Sequence, residues 1–123
     1  FMQKIVLVED DPLLIDIYST KFREAGFQVV VVDRGDAAAG IIEKEKPDLV
    51  VLDIVLPQKD GWEILKSVKS NEKIKDTKVI ILSNLGQKEE IEKGMGLGAA
   101  GYLIKAHYTP SQVVKEIRKI LLP

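Results

Sequence analysis

The chain of 123 residues contains no cysteine and one histidine, His107. A disulfide framework and a thiolate metal centre are therefore excluded. A histidine-based metal site or a nucleophile–histidine–acid triad has no support either, and His107 reads as a partly exposed loop residue. No apolar run reaches the length of a membrane span and no signal peptide is visible, so a cytoplasmic protein without membrane contact is the default expectation. Neither sign of charge dominates: the net charge is −1, with Lys and Arg scattered among Asp and Glu. That argues against a dedicated nucleic-acid surface. Phe1 ahead of Met2 reads as a remnant of cloning and is set aside. What is present is an ordinary globular composition, 46% apolar and 30% charged. The length suits a single domain, residues 2–123, able to enclose one core without staples.

Five short runs rich in Val and Ile recur: KIVLV (4–8), FQVVVV (27–32), DLVVLD (48–53), KVIIL (78–82) and GYLIK (101–105). They are apolar on successive residues, the pattern of strands buried on both faces in a parallel sheet. Helical spacing lies between them. Leu14, Tyr18 and Phe22 form one stripe, stopped by Gly26. Ala38, Ile41 and Ile42 line a second helix that ends near Pro47. Trp62, Leu65, Val68 and Lys69 continue a third, residues 88–97 suggest a fourth, and Val113, Val114, Ile117 and Ile120 mark a fifth. Alternation of this kind predicts a doubly wound α/β fold, a five-stranded parallel sheet with five helices on its two faces.

In open α/β sheets, ligands bind beyond the carboxyl ends of the strands. Glu9 and Asp10 follow the first run, Asp53 ends the third, Ser83 follows the fourth and Lys105 ends the fifth. The second offers only Asp33. Each residue also has a plainer reading. Asp53 fits a helix cap or turn, Lys105 a surface lysine, Ser83 the start of a turn and Tyr102 the core. Asp11 precedes Pro12, which suits the first turn of a helix, so capping is the better reading for it than metal binding. GMGLG (94–98) imitates part of a dinucleotide fingerprint, but it does not follow a strand and open a helix.

Taken together and in order, VLVEDD, VVLDIVLPQKDG (50–61), IILSN and GAAGYLIK resemble the receiver domains of bacterial two-component response regulators, over about Lys4 to Leu121. The resemblance implies the flavodoxin-like strand order 2-1-3-4-5, in which the first and third strands are neighbours. Asp53 is then the phosphoacceptor, with Lys105 and Ser83 assisting. Ser83 and Tyr102 form the switch pair, and Mg²⁺ is held by Glu9, Asp10, Asp53 and the Val55 backbone carbonyl. The implied partners are a sensor histidine kinase or histidine phosphotransfer protein, and an output partner or effector domain on the face of the fourth helix, fifth strand and fifth helix. A homodimer formed on phosphorylation belongs to the same set, while direct nucleic-acid contact does not.

The chain is thus expected to be a phosphoacceptor and not an enzyme with turnover. A phosphatase of the haloacid dehalogenase type also uses a strand-end Asp with Mg²⁺. It needs a second Asp two residues on, where this chain has Val55. A receiver-like module that has lost phosphorylation is disfavoured because all five matching residues are present. Two positions depart from the pattern. Ala106 stands where proline usually follows the lysine, often in a cis peptide, which leaves the Lys105–Ala106 bond open between trans and a strained cis form. Asn84 stands where a small residue is common. Val55 and Leu85, by resemblance, flank the path of a hydrolytic water, and being apolar they predict a long-lived aspartyl phosphate.

Overall fold

The computed structural model describes residues 2–122; Phe1 and Pro123 lie outside the described residues. Strands β1 (Lys4–Val8), β2 (Gln28–Val32), β3 (Leu49–Leu52), β4 (Lys78–Ser83) and β5 (Gly101–Ile104) alternate with helices α1 (Pro12–Glu24), α2 (Gly35–Glu45), α3 (Gly61–Ser70), α4 (Lys88–Gly96) and α5 (Pro110–Leu121). The sheet is parallel throughout, as its apolar runs predict, and its order is β2-β1-β3-β4-β5, as the family resemblance implied.

Alternate residues of each central strand point to opposite faces. From β1, Val6 and Val8 enter the core beneath α2, α3 and α4, with Ala38, Ile42, Ile64, Leu65 and Val68. Ile5 and Leu7 enter the core beneath α1 and α5, with Tyr18, Phe22, Val113 and Ile117. Such burial stabilises by about 1.5–3 kcal/mol per large aliphatic side chain. The second strand differs from its expected burial on both faces. It is an edge strand, with Gln28 exposed and Val29, Val30 and Val31 only half-buried.

Helix ends are set locally. After α1, the N–H of Gly26 donates to Arg23 and that of Phe27 to Phe22. This paired closure needs a left-handed residue, supplied by Gly26 at φ +97°. Gly98 does the same after α4 at φ +103°. Phe27 is therefore part of the turn and not of β2.

Register brings the polar residues to one rim. Val8 sits opposite Leu52, and the Asp53 N–H extends the ladder to the Val8 carbonyl at 3.1 Å. Ser83 sits opposite Ile104, the residue before Lys105.

Candidate functional site

The opening of α1 uses one of three adjacent acids. Asp11 is its N-cap, accepting from the N–H groups of Leu13 at 2.9 Å and Leu14 at 3.5 Å. Glu9 is 2% exposed. Its Oε2 accepts from the backbone N–H of Asp10 at 3.1 Å and of Asp11 at 3.2 Å, which turns it inward. Asp10 is exposed, and its carboxylate has no ion-pair partner among the described residues.

Asp53 is 7% exposed. Its Oδ1 accepts from the N–H groups of Ile54 at 2.7 Å and Val55 at 3.3 Å, which fixes its rotation. The Asp53 loop returns tightly to α3, where a Cβ at Gly61 would collide with the Asp53 carbonyl oxygen. The Lys105 Nζ stands 2.7 Å from both Asp53 Oδ2 and Glu9 Oε1. Burial opposes its charge, but the hydrogen bonds to Asp53 and Glu9 outweigh that and hold its pKa above the ordinary lysine value. Burial also pushes the Glu9 pKa up, against the pull of Lys105.

Carboxylate oxygens of Glu9, Asp10 and Asp53 lie within 4.8 Å of one another. Three carboxylates against one ammonium leave an excess of two negative charges around this cluster. A hard divalent cation with oxygen ligands matches both the excess and the donor set. Beside it is a cavity of about 450 Å³ lined by Glu9, Asp10, Asp53, Ser83, Asn84 and Lys105, with Leu14, Val55 and Leu85 as its apolar wall.

Ser83 is fully buried, and its Oγ accepts from the Leu85 N–H at 3.3 Å. That leaves its own hydroxyl proton free to donate into the cavity. Tyr102 is half-buried and stands behind the wall, its hydroxyl donating to the Leu85 carbonyl. Two placements were not legible in the sequence. Lys105 bridges Glu9 as well as Asp53, and Asn84 Oδ1 accepts the Ala106 N–H at 3.2 Å. Trp62 does not line the cavity; its ring centroid lies 4.5 Å from the Lys93 ammonium on α4. No peptide bond among the described residues is cis, so Lys105–Ala106 is trans, and Lys105–His107 forms one 3-10 turn.

The model of the family described as "Response regulator receiver domain" matches residues 5–118. The chain belongs to the response regulator receiver domains. This receiver is 30% identical over 119 residues to the probable transcriptional regulator ycf27 of Guillardia theta, covering 97% of this chain and 45% of that protein. It is 31% identical to the alkaline phosphatase synthesis transcriptional regulatory protein PhoP of Bacillus subtilis, covering 97% and 48%. The receiver thus spans about half the length of the curated relatives it matches. Among solved structures it resembles the BeF3-activated N-terminal receiver domain of RstA from Klebsiella pneumoniae, at 32% identity and TM-score 0.89, covering 98% of this chain and 99% of that one. It resembles the chemotaxis response regulator CheY4 of Vibrio cholerae at 25% identity and TM-score 0.90, with the same coverage.

Proposed function

We propose that this receiver accepts a phosphoryl group on Asp53 from a phosphohistidine of a partner kinase or phosphotransfer protein. The observation that carries the proposal is the buried Asp53 carboxylate held between the Lys105 ammonium and the acidic cluster, facing an open cavity. An Asp53 oxygen attacks phosphorus, the P–N bond breaks, and the imidazole departs with a proton. Lys105 neutralises charge on the transferring group, and Ser83 donates a hydrogen bond to a phosphoryl oxygen. Glu9, Asp10, Asp53 and the Val55 carbonyl would hold Mg²⁺, which when bound neutralises the excess acidic charge and the charge on the phosphoryl oxygens. The test is intact mass after incubation with acetyl phosphate and Mg²⁺. Wild type gains one phosphoryl group and Asp53→Asn gains none; an unchanged gain in the variant overturns the assignment.

The output passes through α4, β5 and α5 to an effector domain or partner, with a phosphorylation-dependent homodimer as one form of it. The supporting contact is Tyr102, which touches the cavity wall through Leu85 and packs on α4 at Gly94. Val55, 62% exposed, and Leu85 flank Asp53 with side chains that cannot orient water. The aspartyl phosphate is therefore long-lived, and Val55→Asn/Leu85→Glu should shorten its decay time. Equal decay in wild type and the double variant, with Mg²⁺ affinity intact, removes this part of the reading.

A further inference from the structure

Lys105 sits at the first position of a 3-10 turn that has no side-chain cap from its own N-cap residue, Ile104. The first N–H groups of such a turn have no partner within it. Ala106 therefore carries a free donor, which a proline at this position would not have. Asn84, from the loop after β4, meets that donor: its Oδ1 accepts the Ala106 N–H at 3.2 Å, across 22 residues of sequence. The two ends of this bond are each one residue from the chemistry. Asn84 follows Ser83, and Ala106 follows Lys105. Both Asn84 and Lys105 line the same cavity.

From this geometry we infer that Asn84 is a positioning residue for phosphoryl transfer. It caps the turn that carries Lys105 and so keeps the ammonium within 2.7 Å of Asp53 Oδ2. The backbone of Lys105 is otherwise held by β5, a strand of four residues at the edge of the sheet, and by the Tyr108 N–H, which donates to its carbonyl at 3.4 Å. Lysine has a long flexible stem, so a backbone left loose at its base spreads the ammonium over many positions. Asn84 acts on the rate through Lys105 and leaves the acidic cluster alone. Its amide makes no hydrogen bond with Glu9, Asp10 or Asp53 among the described residues. The inference rests on Asp53 being the phosphoacceptor.

The experiment is a double-mutant cycle read by the initial rate of phosphorylation from acetyl phosphate at saturating Mg²⁺. Asn84→Ala removes the acceptor and Ala106→Pro removes the donor. Asn84→Ala should slow phosphorylation about five-fold, equivalent to about 1 kcal/mol in the barrier. Proline also restricts the backbone of Lys105, so the Ala106→Pro rate serves as the reference for the second arm of the cycle. In the Ala106→Pro protein, Asn84→Ala should leave the rate unchanged. Mg²⁺ affinity, measured by calorimetry, should be unmoved by Asn84→Ala, whereas general loosening of the site would weaken it too. A wild-type rate in Asn84→Ala overturns the inference, and so does a faster rate, which would make Asn84 an obstruction at the cavity mouth. It is equally overturned if Asn84→Ala still slows the Ala106→Pro protein five-fold. A wild-type protein that takes up no phosphate would instead refute the assignment of Asp53.

Discussion

Helices α4 and α5 flank the same edge strand, yet they are held by different means. The last helix buries Val113, Val114 and Ile117 and begins with Pro110. Its capping box is complete: the Gln112 N–H donates to Thr109 Oγ1 at 3.2 Å, and Gln112 Oε1 accepts the Thr109 N–H at 2.8 Å. In α4 only Gly94 is buried. Its start has the Glu90 side chain accepting the Gln87 N–H at 2.9 Å. Burial of branched aliphatic groups fixes one helix, whereas the other rests on a close backbone approach and a few polar contacts. The difference teaches which element at this edge is the easier to displace. A helix with little buried apolar area needs little energy to move.

The largest expected effect lies in α5. Ile117→Ala should lower unfolding free energy by about 2–5 kcal/mol, since Ile117 is fully buried and its loss leaves a cavity. No comparable truncation exists in α4, where Ile91 is only half-buried. Urea denaturation measures both, and an equal loss for Ile91→Ala would break the comparison.

The two glycines of α4 sharpen it further. Alanine at Gly96 meets nothing within 4 Å and should stabilise by up to about 1 kcal/mol through helix propensity. A Cβ at Gly94 would lie 2.6 Å from Ile81 Cδ1 and 3.0 Å from Tyr102 Cδ2. Ile81 is fully buried and has nowhere to retreat. Overpacking costs about 1–3 kcal/mol, so Gly94→Ala should be a net loss of up to about 2 kcal/mol despite the better propensity. If both substitutions stabilise alike, Gly94 is not a contact residue.

The smallest effect concerns the Lys93 ammonium over the Trp62 ring, which ties α4 to α3. Lys93→Gln should cost about 0.5–1 kcal/mol and alter Trp62 emission. Amide exchange should then rise in α4 and stay constant in α5. Unchanged exchange in α4 would show that this contact does not restrain the helix.

Much of this was legible in the residue order. Runs of Val and Ile separated by helical stripes specify a parallel sheet, because only strands covered on both faces tolerate apolar residues at successive positions. Asp11 before Pro12 announced a cap, and Gly26 announced the end of α1, because these are local backbone requirements. In the sequence Gly94 is one glycine of GMGLG; its tight seat against Ile81 and Tyr102 depends on how α4 docks. The half-exposure of β2 is not visible in its Val-rich run, since edge position follows from strand order, which the resemblance implied, and not from composition. The residues of the rim could be named one by one, but their bonds could not. That Lys105 grips Glu9 as well as Asp53, and that Asn84 closes the turn beside it, depends on separate strand ends meeting at one register. Periodicity and turn chemistry act over a few neighbouring residues and are written in the chain. Pairings of residue 105 with 9 and 53, and of 84 with 106, are decided only when the sheet assembles, because nothing local sets the distance between them.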